Sequence, residues 1–158
     1  LAMRPDRIVV GEVRGAEAFE LTRAVNAGTG FSCTVHANSA ADALAALVNA
    51  ALMAGENVPE TVVRNVFAAS LDLVIHCERD AGRGDDGTVI RQVREILAVV
   101  PSLHDDFSTE PIFVRERMGD PLRWTGALPP GRLSKRLEQV LPRDMALADV
   151  LDGRAVLP

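Results

Sequence analysis

The order of apolar patterns in the first 70 residues constrains the fold of this chain more than any other feature. The run Ile-Val-Val at residues 8–10 is short, β-branched and followed by glycine, which is typical of a strand buried in a parallel sheet. Residues 16–27 then show helical periodicity, and a Gly-Thr-Gly turn leads into a second apolar run at residues 31–35. This strand–helix–strand order predicts an α/β domain.

Two further helices are expected after the second strand. Ser39 stands at the N-cap of a segment with apolar residues at helical spacing, and Asp42 follows three residues later, close to the pattern of a capping box. Gly55 ends that segment. Pro59 opens another helix, which we expect to continue to about residue 70.

The pattern changes to that of an antiparallel addition after residue 70. Residues 71–77 and 88–100 are predicted strands, and the Gly- and Asp-rich residues 80–87 are typical of a hairpin connection. We therefore expect a mixed sheet with flanking helices and an antiparallel hairpin. Weaker patterns predict short strands at 112–117 and 122–124, then helices from 133 to 141 and from 143 to 151.

The composition excludes several classes of protein. The 158 residues are 47% hydrophobic and 25% charged, as in ordinary globular domains, and no apolar run approaches the length of about 18 residues that a membrane helix needs. The net charge of −5 disfavours a direct nucleic-acid partner. A modest basic group lies on the tail and consists of Arg132, Lys135, Arg136 and Arg143. A solvated helix face is the default interpretation of this group, and a contact with anionic lipid or a partner subunit is the alternative.

Two polar residues follow the first two predicted strands and are candidates for chemistry. Glu12 comes after the first strand, at the carboxyl edge of the sheet where ligands of open α/β folds bind. A carboxylate there can orient an attacking water or the magnesium shell, although an ordinary surface ion pair is the alternative. His36 ends the next strand, where it is either a donor to phosphate or a residue of the fold.

Two segments carry a resemblance to a known family. Residues 3–18 (Met-Arg-Pro-Asp-Arg-Ile-Val-Val-Gly-Glu-Val-Arg-Gly-Ala-Glu-Ala) resemble the Walker B region of the type II and type IV secretion ATPases, and residues 34–39 (Thr-Val-His-Ala-Asn-Ser) resemble their histidine box. With Asp-Leu-Val-Ile-His at residues 72–76, the resemblance extends over about residues 1–100. It is nearest to the CpaF/TadA-type branch, which powers tight-adherence pili.

The resemblance implies a RecA-like P-loop NTPase motor domain and a role for four residues. Glu12 would be the catalytic glutamate that polarises the attacking water, and His36 would approach the γ-phosphate or relay its presence to a neighbouring subunit. Gly11 stands where many phosphate-loop enzymes carry a magnesium-binding aspartate, and Arg14 would compensate charge at the phosphate or at a subunit interface. No residue is assigned as a metal ligand.

The same resemblance implies ATP and Mg²⁺ as cofactors of the full-length parent. Such ATPases form hexameric rings on the cytoplasmic face of the inner membrane, where they work with platform proteins of the pilus or secretion machine. Residues 1–102 would be the C-terminal half of the ATPase domain, and residues 103–158 a small variable appendage.

One departure from the family limits what the chain is expected to do alone. No Gly-x-x-x-x-Gly-Lys-Ser/Thr loop occurs in the sequence, and the sole lysine is Lys135. We therefore expect the chain to be the C-terminal portion of a longer ATPase and to be inactive by itself. The alternatives are a conjugation-type relative and a non-enzymatic, truncated paralogue that docks on intact subunits.

Overall fold

The chain divides by its internal contacts into two compact units. The computed structural model describes residues 4–81, 89–100 and 107–156. The first unit takes the described residues up to 71 together with 107 and 108, and the second takes 72–100 and the residues from 109 onward. The predicted boundary after residue 102 does not coincide with this division, because the hairpin groups with the C-terminal residues.

The first unit follows the predicted order of elements. Its elements are β1 (Arg7–Val10), α1 (Ala18–Asn26), β2 (Gly30–Cys33), α2 (Ala40–Leu52) and α3 (Glu60–Ser70). β1 and β2 pair in parallel, with Val10 opposite Cys33 at the end of the ladder. The parallel pairing that the sequence predicted is therefore confirmed, but the predicted burial of the first strand is wrong. Residues of β1 alternate between exposed and half-buried, because one face of the strand, with Val10, packs on the core and the other, with Val9 at 79% exposure, is open to solvent among the described residues.

The predicted helix ends have a clear physical basis in the first unit. Ser39 adopts an extended backbone before α2, and its hydroxyl accepts a 3.0 Å hydrogen bond from the backbone N–H of Asp42, as the capping pattern predicts. Gly28 follows α1 with φ +79°, in the left-handed region where glycine ends helices at little cost.

A single apolar core holds the strands of the first unit against its helices. Phe67 of α3 is fully buried, and its ring meets that of Phe31 on β2 edge to face, with the centroids 6.4 Å apart. Burial of such a side chain stabilises the fold by roughly 1.5–3 kcal/mol. The buried members of this core are Val13, Ala18, Leu21, Leu47, Val48, Ala50, Ala51, Val63 and Phe67.

The second unit is built on an antiparallel sheet. Its elements are β3 (Leu73–Ala81), β4 (Val89–Val100), β5 (Ser108–Val114), β6 (Arg123–Trp124), α4 (Gly131–Glu138) and α5 (Leu147–Leu151). The strand order is β3-β4-β5-β6, and β3 pairs antiparallel with β4 over its whole length, with a bulge between His76 and Cys77. The predicted hairpin pairing is confirmed, although most of its connecting loop lies outside the described residues.

The expectation of one mixed sheet is wrong for the described residues. The parallel pair β1-β2 and the four-stranded antiparallel sheet are separate. The backbone hydrogen bonds of β3 go to β4, and β5 follows β4 in the same sheet. The hairpin therefore belongs to the antiparallel sheet and does not extend the parallel pair.

A cluster of opposite charges ties α4 to the segment before β3. Oδ1 of Asp72 accepts from Nη2 and Nε of Arg132 at 2.7 and 3.1 Å, and Oδ2 accepts from Nη1 of Arg136 at 3.0 Å. Two members of the basic group are thus bound to a carboxylate. Among the described residues, no helix is long and apolar enough to cross a membrane.

Candidate functional site

The candidate site lies where β1 and β2 end. Because the two strands are parallel and in register, the residues that follow them emerge at one edge of the pair. Gly11 and Glu12 follow β1, and the segment from Thr34 to His36 follows β2. The sequence predicted this meeting, and the structure places the side chains in contact.

The carboxylate of Glu12 lies between the guanidinium of Arg14 and the imidazole of His36. Its Oε2 is 2.7 Å from Nη2 of Arg14, and its Oε1 is 2.8 Å from Nε2 of His36. The Glu12 side chain is 27% exposed, whereas those of Arg14 and His36 are 77% and 91% exposed. The carboxylate is therefore the partly enclosed centre of the group, and its partners face solvent.

The two oxygens of Glu12 have different partners. Oε2 is paired with Arg14, whereas Oε1, which is buried, lies 2.8 Å from Nε2 of His36, and no other donor among the described residues bonds it. Because each carboxylate oxygen can accept two hydrogen bonds, Oε1 can accept one from a water molecule as well.

The neighbours of Glu12 stabilise its ionised form. The hydrogen bond from Arg14 lowers the pKa of Glu12, the positive charges of Arg14 and His36 lower it further, and partial desolvation opposes them. The same ion pair raises the pKa of Arg14. A carboxylate with a lowered pKa is a weak base, so Glu12 is better suited to orienting a water than to removing its proton outright.

A second carboxylate shapes the loop that carries Arg14. Oε1 of Glu17 accepts hydrogen bonds from the backbone N–H groups of Arg14 at 2.6 Å and Gly15 at 3.1 Å. These backbone donors lower the pKa of Glu17. Glu17 was not among the predicted site residues, because the sequence shows it only as an acidic residue at the start of α1.

Beside the ion pair lies an open cavity of about 440 Å³. Arg14 and His36 form one side, and Asn49 and Met53 of the α2 end line another. Gly11 does not line this cavity, but the space at Gly11 is open as well, because a Cβ at that position would meet no atom within 4 Å. The cavity therefore leaves room for a bound group beside Arg14 and His36, the two partners of Glu12.

The structure thus brings Glu12, Arg14 and His36 together, with Gly11 adjacent to them through the backbone. Within the described residues, no group of three or more His, Cys, Asp or Glu side chains is placed to hold a metal ion. The site as described offers one ionised carboxylate, one guanidinium and one imidazole. Such a set can position a water and compensate negative charge.

Comparison with known proteins assigns the chain to a family. Residues 1–97 match the model of the type II/IV secretion system protein family, a stretch that includes both strand ends of the site. The chain belongs to this family. A solved relative has a similar mixed α/β fold: the VirB11 ATPase of the Brucella suis type IV secretion system, with a TM-score of 0.50 and 28% identity, over 61% of this chain and 29% of that one.

Curated relatives come from conjugation and type IV secretion. A putative conjugal transfer protein of Mycobacterium tuberculosis (strain H37Rv) is 38% identical over 110 residues, which is 67% of this chain and 31% of that protein. The type IV secretion protein VirB11 of Bartonella henselae is 36% identical over 89 residues, 52% of this chain and 24% of that protein. The chain spans about a third, or less, of the length of these relatives. The tight-adherence branch stays a prediction.

Proposed function

We propose that the full-length protein containing this chain hydrolyses ATP with Mg²⁺ and drives a secretion or pilus-assembly machine. The observation that carries the proposal is the carboxylate of Glu12, which follows β1 at the edge of the parallel pair and lies 2.7 Å from Arg14 and 2.8 Å from His36. Membership of the type II/IV secretion family supports the same activity.

In this proposal Glu12 orients the water that attacks the terminal phosphate. Phosphoryl transfer depends mostly on positioning and on charge compensation, so a weakly basic but fixed carboxylate suffices. Arg14 keeps the carboxylate charged and directed, because its guanidinium pairs with Oε2. Oε1, which lies beside His36, retains a lone pair that can accept a hydrogen bond from the water. His36 is placed to donate toward the phosphate, since its side chain is exposed beside that oxygen.

The residues of this chain can account for the positioning of water in a nucleotide site but not for the binding of the triphosphate. A triphosphate needs a run of backbone donors and a lysine, and the sequence has no P-loop pattern, while its one lysine lies in α4. We therefore assign the binding of ATP and Mg²⁺ to residues outside this chain, in a RecA-like motor domain. The isolated 158 residues should neither bind nor hydrolyse ATP detectably.

The assembly and the location of the motor follow from the family resemblance. The proposal is a hexameric ring on the cytoplasmic face of the inner membrane, working with the membrane platform of a pilus or secretion system. A tight-adherence pilus is one candidate machine. A conjugation-type machine is the second, because conjugal transfer proteins share 38% and 33% identity with this chain.

The test is ATP hydrolysis by the full-length protein with Glu12→Gln, which keeps size and removes charge. We expect turnover to fall by roughly 10²-fold or more, as for the loss of a positioning or acid–base group, with nucleotide affinity within a few-fold of wild type. Glu20→Gln is the matched control, because Glu20 is an exposed glutamate on α1 that pairs with Arg23. Unchanged turnover in Glu12→Gln would remove Glu12 from catalysis.

Deletion of the gene separates the two machines. Loss of surface pili with normal plasmid transfer would identify the pilus motor, and the reverse result would identify the conjugation motor. A full-length protein without any ATPase activity would instead favour the docking paralogue.

A further inference from the structure

Thr34 is bonded to both residues that flank Glu12. Its hydroxyl donates a short hydrogen bond to the backbone carbonyl of Gly11, and its own carbonyl accepts from the N–H of Val13 at 2.8 Å. Both contacts lie beyond the last ladder pair, Val10 with Cys33. The peptide that carries Glu12 is thus held on each side by one residue of the neighbouring chain segment.

The same residue fixes where His36 stands relative to Glu12. Thr34 precedes His36 by two residues, so the position of the Thr34 backbone limits where the His36 side chain can reach. The 2.8 Å approach between Nε2 of His36 and Oε1 of Glu12 therefore depends on the two strand ends keeping their offset beyond the ladder. Thr34 makes the bonds that set this offset.

The hydroxyl of Thr34 contributes little to the packing of the first unit. The residue is exposed and does not belong to the core cluster of the first unit. Its side-chain hydrogen bond joins the segments that follow β1 and β2, beyond the last pair of the backbone ladder. A hydrogen bond in this place affects geometry at the site more than global stability.

We propose that Thr34 is a positioning residue, which sets the carboxylate of Glu12 against His36 through the backbone on either side of Glu12. The inference rests on the proposed function of Glu12 and adds a residue that touches no substrate. Small displacements of a catalytic group reduce turnover strongly, since a misplacement of about 1 Å can cost 10²-fold. Loss of one of the two bonds should have a smaller effect.

The test compares variants of the full-length protein in steady-state ATP hydrolysis. Thr34→Val keeps the shape and removes the hydroxyl, and we expect kcat to fall by about tenfold with KM within twofold. Thr34→Ser keeps the hydroxyl and should retain at least half of kcat. Thr125→Val is the matched control, because the Thr125 hydroxyl also donates to a carbonyl, that of Pro111 at 2.7 Å, in the second unit.

A second measurement does not depend on activity. Hydrogen exchange at the Val13 amide reports the other bond of Thr34, and we expect Thr34→Val to speed it several-fold while Thr34→Ser and Thr125→Val leave it unchanged. Thr34→Ala serves in the same way if the valine variant unfolds at a lower temperature than the control.

Three results would overturn the inference. They are full kcat with normal Val13 exchange in Thr34→Val, equal loss of kcat in the valine and serine variants, and equal loss in Thr34→Val and Thr125→Val. An active Thr34→Val beside an inactive Glu12→Gln would leave the proposed function standing and remove only the positioning role. An active Glu12→Gln would remove both.

Discussion

Glu12 and Asp72 are carboxylates in similar settings that have different partners. Each is partly enclosed, with side chains 27% and 28% exposed, and each lies against two cationic or imidazole groups. Both oxygens of Asp72 accept hydrogen bonds from arginine, whereas only one oxygen of Glu12 is paired with arginine and the other lies 2.8 Å from the imidazole of His36. Similar exposure therefore conceals a difference in partners.

This difference separates a carboxylate that holds the fold from one that is available for chemistry. Both carboxylate oxygens of Asp72 accept hydrogen bonds from arginines of α4, so this carboxylate stabilises the second unit. Glu12 is paired with Arg14 through one oxygen and lies beside the exposed imidazole of His36 with the other. An arginine partner alone therefore does not distinguish the two carboxylates, and the nature of the second partner does.

The largest effect should appear when each carboxylate is converted to its amide in the full-length protein. Glu12→Gln should lower turnover by roughly 10²-fold or more, because the oriented water loses its charged acceptor. Asp72→Asn should leave turnover within twofold, since its oxygens serve the fold. Parallel phosphate-release assays measure both, and similar losses in the two variants would break the comparison.

The next effect concerns the partners of the two carboxylates. His36→Ala should lower turnover by about tenfold and leave the melting temperature unchanged, because the ring is 91% exposed. It should also weaken any dependence of activity on protein concentration, if the ring signals to a neighbouring subunit. Arg136→Ala should show the reverse, with normal turnover and a lower melting temperature. A destabilised but fully active His36→Ala would make His36 a residue of the fold.

A smaller effect is expected in the stability of the second unit. Asp72→Asn weakens the bonds to Arg132 and Arg136, and we expect a loss of about 1 kcal/mol in the free energy of unfolding, or 2–4 °C in melting temperature. Glu78→Gln is the control, because the Glu78 carboxylate lies 3.8 Å from Arg94 and should contribute less. Thermal unfolding checks this, and an equal shift in the two variants would contradict the role of the cluster.

The smallest effect concerns acid. Arg14 lowers the pKa of Glu12 in the folded protein, so the carboxylate stabilises the fold above the unfolded pKa of about 4.3 and loses this contribution as the pH falls through the lower, folded value. Arg14→Gln should reduce that acid dependence, whereas Arg23→Gln should not. Unfolding free energies measured between pH 3 and 6 would show it, and identical curves for wild type and Arg14→Gln would contradict it.

Local patterns in the sequence predicted most of the elements and the meeting of the site residues. Helical spacing and the Ser39 cap located α2, and the β-branched run located β1, because these signals depend on neighbours along the chain. The parallel pairing then placed Glu12 and His36 at one edge, which is a consequence of topology alone.

Contacts between distant residues were beyond the reach of such patterns. Asp72 meets Arg132 across 60 residues, and nothing near either residue in the sequence signals that pairing. The separation into two sheets was missed for the same reason, since strand order depends on which ladders form and not on the pattern of any one strand. The bonds of Thr34 to Gly11 and Val13 require the register of β1 and β2 at the resolution of a single residue.

Because of that register, the geometry of the site depends on the number of residues between β1 and Glu12 but not on the length of the turn before β2. Glu12 stands two residues past Val10, so one inserted residue between them would shift the carboxylate by one position relative to Thr34 and His36. The turn around Gly28, before β2, can lengthen without changing either strand end. Insertions and deletions among related sequences should therefore collect in that turn and avoid the short step from β1 to Glu12.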